Sequence, residues 1–80
     1  MKVYGYDING AVQGELYCNE IDSLDLDYFE MEGIAKKFDW EAAFTNLKDA
    51  KKALVAEMVA EQTDQELISF VRSLRMSDLV

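Results

Sequence analysis

The chain contains no histidine, no proline and only one cysteine. Each absence closes off a class of function. Without histidine, neither a Ser-His-Asp nor a Cys-His nucleophile can be assembled, and zinc sites that use imidazole are excluded. A single thiol, Cys18, cannot build a thiolate cage or close an internal disulfide, which argues against a small cross-linked secreted scaffold. Cys18 lies in a run of alternating apolar and polar residues and reads as a small core residue. A reactive thiol would want a cation or a helix N-terminus beside it, and the sequence offers neither. The four glycines, at 5, 10, 14 and 33, do not match the spacing of either common phosphate-binding loop. No apolar run approaches the ~18 residues of a membrane span, and Met1–Asp7 lacks the apolar stretch of a signal peptide. The expectation is a binding protein rather than an enzyme, with no cofactor and no metal.

Basic residues are also scarce, and their placement is uneven. None occurs between Lys2 and Lys36. Residues 1–32 hold eight acids against Lys2 alone, whereas residues 33–80 hold eight acids and seven bases. Nearly all of the formal charge of −8 therefore lies in the first two-fifths of the chain. Such a surface repels nucleic acid and speeds encounter with a cationic one. Direct nucleic-acid binding through this region is thus disfavoured. A basic surface of another protein is the natural target, and many such surfaces exist to hold DNA or RNA.

What is present describes a chain that folds. Half of its 80 residues are hydrophobic and nine are aromatic, a composition that disordered segments do not have. The length suits one domain, so residues 1–80 are expected to form a single acidic α+β domain. Residues 2–17 read as a β-hairpin, with Val3, Tyr4, Tyr6 and Ile8 in one strand and Val12, Leu16 and Tyr17 in the other. Asn9-Gly10 between them favours a type I′ turn. Residues 23–38 read as a helix capped by Ser23, with Leu24, Tyr28, Met31, Ala35 and Phe38 on one face. Phe29, Leu26 and Ile34 would point away from that face. A third strand over Leu24–Tyr28 competes with this reading.

Residues 40–62 read as helical over most of their length, with Trp40, Phe44, Leu47, Leu54 and Met58 in a stripe. Thr45 or Asn46 could cap a fresh start, and Phe38–Phe44 also alternates as a strand would. Thr63-Asp64-Gln65-Glu66 has the capping-box pattern and should open a last helix with Leu67, Phe70, Val71 and Leu74 inward. The expected fold class is α+β, an N-terminal β-hairpin packed by two or three α-helices.

Carboxylates are the remaining candidates for chemistry. Asp7-Ile8-Asn9-Gly10 starts like a calcium loop, but such a loop needs an oxygen ligand at its fifth position and glycine at its sixth. Ala11 stands fifth and the glycine fourth. Counting from Asp22, the third position is Leu24, and the match fails again. The candidate partner-binding set is Glu20, Asp22, Asp25, Asp27, Glu30 and Glu32, six acids without a compensating base. On a helix from Ser23, Asp25 and Glu32 would flank the apolar stripe on one side and Asp27 and Glu30 on the other. Two such rows could imitate paired phosphates of DNA. The bases Lys48, Lys51, Lys52, Arg72 and Arg75 are expected to pair with neighbouring acids.

In size, acidity and lack of catalytic residues the chain resembles the small inhibitors that phages and mobile elements deploy against host nucleases, the anti-CRISPR and antirestriction proteins. This is a resemblance of composition. Asn9-Gly10 followed by Gly14 resembles the opening hairpin of DNA-mimicking antirestriction proteins, with Leu16 where that pattern has an aromatic. The resemblance implies an inhibitor that occludes the basic surface of a nuclease or nucleic-acid-binding complex. Its location would be cytoplasmic, the host cytoplasm for a phage-encoded protein. The alternative is a structural or assembly module, a homodimer or adaptor subunit that buries surplus apolar helix surface.

Overall fold

The computed structural model describes residues 1–22 and 26–79. Strand β1 (Lys2–Tyr6) is followed by helix α1 (Ile8–Gln13), strand β2 (Tyr17–Glu20), helix α2 (Tyr28–Lys37), strand β3 (Ala42–Phe44), helix α3 (Leu47–Ala60) and helix α4 (Gln65–Arg72). A 3₁₀ turn at Met76–Asp78 follows. The α+β class holds. The three strands form an antiparallel sheet in the order β2-β1-β3. Gly5 lies opposite Tyr17 on one side and Ala43 on the other.

Central β1 is buried from Val3 through Tyr6, as expected of a strand covered on both faces. Side chains alternate across a strand, and β1 divides two cores in this way. Tyr4 and Tyr6 face the larger one, built with Leu16, Leu54, Met58, Ile68 and Val71 under α3 and α4. Val3 faces the smaller one, with Ala35, Trp40 and the half-buried Tyr17, Ile34 and Phe38 under α2. The sheet is thus sandwiched, with α2 against one face and α3 and α4 against the other. No helix among the described residues is long and apolar enough to cross a membrane.

The first two strands pair as antiparallel neighbours, but the connection between them is a helix and not a two-residue turn. Asp7 is its N-cap: the Gly10 N–H donates to Asp7 Oδ1 at 2.7 Å. Gly14, at φ 73°, closes it, its N–H donating to the Gly10 carbonyl at 2.7 Å. A type I′ turn would need positive φ at both Asn9 and Gly10, and neither adopts it. Local capping by Asp7 therefore overrides the Asn-Gly signal, and β2 starts at Tyr17.

Helix α2 begins behind Asp27, whose Oδ1 accepts the Glu30 N–H at 2.8 Å. The expected Ser23 cap and Leu24 lie outside the described residues. With its start at Tyr28, the helix packs Ile34, Ala35 and Phe38 into the smaller core and leaves Met31 half-buried. Tyr28 is 72% exposed, contrary to the expected stripe, while Leu26 and Ile34 pack inward rather than away. Phe29 points to solvent as expected, 79% exposed.

The segment expected to be helical from residue 40 is broken. Ala42–Phe44 pairs with β1, and α3 restarts at the Asn46 cap, where the Asp49 N–H donates to Asn46 Oδ1 at 2.8 Å. Helix α4 starts where expected but is capped by Asp64, which accepts the Glu66 N–H at 2.7 Å, in place of a Thr63 capping box. Its buried side chains are Ile68 and Val71, followed by Leu74, and Phe70 turns outward at 48% exposure.

Candidate functional site

Helix α2 and the edge strand β3 enclose an open groove of about 780 Å³. One wall is the α2 face of Tyr28, Met31, Glu32, Ala35 and Lys36, residues spaced at helical intervals. The opposite wall is Ala42, Ala43 and Phe44, and Trp40 contributes at the turn that joins the two elements. That turn is set by the helix terminus. The Trp40 N–H reaches back to the Ala35 carbonyl at 2.7 Å and the Asp39 N–H to Lys36 at 3.2 Å, with Asp39 at φ 60°. This pair of bonds is a Schellman ending, and it swings Trp40 beneath the sheet. The indole stacks with Tyr17 at 6.4 Å and lies 4.9 Å from the Phe38 ring.

Four carboxylates line this groove: Asp27 and Glu32 on the α2 side, Glu41 just before β3, and Asp49 in the first turn of α3. Lys36 is the single base among the lining residues. None of the four acids forms an ion pair among the described residues, where the one ion pair joins the N-terminal amine to Glu20 at 3.6 Å. Among the described residues the groove thus gathers four acids without an ion pair, although Asp27 accepts the Glu30 N–H at 2.8 Å and Asp49 the Asn46 side-chain amide at 2.8 Å.

The sequence-predicted acids divide. Asp27 and Glu32 come together in the groove. Glu30 is exposed in the first turn of α2 and is not among the lining residues. Glu20 ends β2, on the opposite edge of the sheet from β3, and Asp22 follows it, exposed. Asp25 lies outside the described residues. The expected flanking rows are not how the helix is built, because Asp27 stands before it as the cap rather than within it. Sequence reasoning missed Glu41 and Asp49. The Phe38–Phe44 alternation was the available signal for Glu41, since it places that residue at the mouth of a strand.

Tyr28, which lines the groove, meets the exposed Phe29 edge to face at 6.1 Å. The neighbouring Glu32 carboxylate raises the Tyr28 phenol above its ordinary pKa. An exposed aromatic pair beside carboxylates suits a partner that is cationic and partly apolar, because aromatic faces attract cations.

The bases of α3 and α4 form no ion pairs with acids among the described residues, contrary to expectation. Lys51 donates instead to the Leu74 carbonyl at 2.9 Å, tying α3 to the end of α4. Lys51, Lys52 and Arg72 line a separate shallow cleft of about 260 Å³. Among the described residues, no three acidic or thiol groups are placed to hold a metal ion. Comparison with family models, curated proteins and solved structures finds no match for this chain.

Proposed function

We propose that this protein binds a basic surface of another protein and occludes it, in the manner of the anti-CRISPR and antirestriction inhibitors that it resembles in composition. The supporting observation is the groove between α2 and β3, where Asp27, Glu32, Glu41 and Asp49 face Lys36 alone. Carboxylates without ion pairs beside Met31, Ala35 and Trp40 give electrostatic attraction for the encounter and apolar contact for the residence time. A partner whose cationic surface ordinarily holds DNA or RNA would lose access to it, as it would to a DNA mimic. A cytoplasmic location goes with this proposal.

Affinity capture from a cell lysate tests this reading. It is repeated with Asp27→Asn, Glu32→Gln, Glu41→Gln and Asp49→Asn combined. The expected result is one partner retained by the native chain, lost by the variant, and released by nucleic acid. Retention of the same partner by the variant would overturn the reading.

One observation favours a second reading, an assembly module. Ile8 and Val12 are exposed one turn apart on α1, and Tyr28 and Phe29 are exposed on α2. A homodimer could cover these side chains. The mass in solution at high protein concentration decides it: a strict monomer removes this alternative.

A further inference from the structure

Resting on the binding reading above, we infer that the partner element taken up is an extended basic segment that adds as a fourth strand to β3 inside the groove. The direction of the groove points to this. Successive side chains of a strand face opposite sides of its sheet, yet Ala42, Ala43 and Phe44 all border the groove. Since Ala43 packs toward α2 and Phe44 toward the opposite core, the groove reaches the outer edge of β3 as well as its α2 face. β3 is an outer strand of the sheet. Among the described residues, Ala42–Phe44 make no backbone hydrogen bond outside the pairing with β1.

Open edges are commonly blunted by shortness, lysine, proline or a covering element, and β3 relies on shortness, being three residues long. β3 contains neither residue, and its two alanines leave room for a backbone to approach. A strand that adds there gains main-chain hydrogen bonds, while its alternate side chains enter pockets that set specificity. Here the groove offers Met31, Ala35 and Trp40 together with four lining carboxylates. An alternating apolar and cationic strand fits both features. A basic helix would leave the edge of β3 unpaired.

The test uses a blocked peptide of alternating lysine and valine, the same peptide N-methylated on one face, and a glutamate-valine control. Binding is read by Trp40 emission and by amide exchange at Ala42–Phe44. The lysine peptide should shift the emission, slow exchange at these amides, and bind roughly thirtyfold more weakly to the variant lacking the four groove carboxylates. N-methylation should abolish binding, and the glutamate peptide should not bind. Equal binding of the N-methylated peptide, or binding without protection of Ala42–Phe44, overturns strand addition and leaves the electrostatic reading standing. Failure of both lysine peptides to bind at low salt overturns both.

Discussion

The indole of Trp40 packs directly on the backbone of Gly5. A Cβ at position 5 would stand 2.5 Å from Trp40 Cδ2 and 2.7 Å from the Ala42 carbonyl oxygen, closer than side-chain carbons come to either. This contact joins the central strand, the turn after α2 and the start of β3 at one point, and it seats the groove floor. Gly5→Ala must displace either the ring or β3. The expected cost is about 1–3 kcal/mol, the usual range for overpacking a core, read from urea unfolding. A red-shifted Trp40 emission in the folded variant would accompany it. An unchanged midpoint would mean that the indole does not sit on Gly5.

Two substitutions should stabilise the fold without touching the groove carboxylates. Gln62 holds φ 57° at the end of α3, where the Thr63 N–H returns to the Met58 carbonyl at 2.9 Å. Glycine is the preferred residue at such an ending, so Gln62→Gly should gain roughly 0.5–1 kcal/mol. Gly33 lies inside α2, and a Cβ there would meet nothing within 4 Å. Gly33→Ala should gain about 1 kcal/mol from helix propensity. Each kcal/mol should raise the thermal midpoint by roughly 4–8 °C for a domain of this size. A lower midpoint for Gln62→Gly would contradict the left-handed backbone at that residue, and a lower one for Gly33→Ala would contradict the open space beside α2.

Stability should fall at alkaline pH through tyrosine ionisation. Burial, aided by a hydrogen bond to Glu15 at 3.1 Å, pushes the Tyr17 phenol up to about 12. Burial, with the Glu57 carboxylate beside it, raises Tyr6 further. Both phenols are held neutral by the fold, so the unfolded chain loses these protons first. The contribution is intact below about pH 10, the ordinary tyrosine value, and stability declines as pH rises from there through about 12. Urea midpoints at pH 8, 9.5 and 11 check the sign, and Tyr17→Phe should flatten the decline.

The acids outside the groove should matter less than those within it. Glu20→Gln, Asp22→Asn and Glu30→Gln together remove three charges, one fewer than the four-acid groove set. They should weaken binding to a basic partner only through long-range potential, a loss that vanishes once the Debye length shortens to about 8 Å near physiological salt. Comparable losses from the two sets at that salt would place the contact elsewhere. In the groove set, Asp27→Asn preserves the cap of α2, since asparagine caps about as well as aspartate.

The sequence carried the α+β class because β-branched and aromatic residues crowd the first strand and helical periodicity dominates the second half. Helix starts were legible where a short polar side chain stands before an apolar run, as at Asn46 and near Thr63, although Asp64 and not Thr63 caps α4. The Asn9-Gly10 signal misled because Asp7 supplies a cap three residues before Gly10, and a local hydrogen bond then decides the backbone. β3 was obscured because Ala42 and Ala43 favour helix as isolated residues, and only pairing with β1 makes them a strand. The site was half legible for the same reason. Asp27 and Glu32 announce themselves as neighbours in an acidic run, whereas Glu41 and Asp49 join them only once β3 forms and α3 restarts.

The most direct measurement is the affinity of the captured partner across ionic strength, followed by Trp40 emission. Raising salt from 0.01 M to 1 M shortens the Debye length from about 30 Å to about 3 Å. If the groove carboxylates draw in a cationic segment, affinity falls steadily over this range while the emission change on binding persists. Affinity that stays constant across the range, with Trp40 emission unmoved by the partner, would contradict that mechanism.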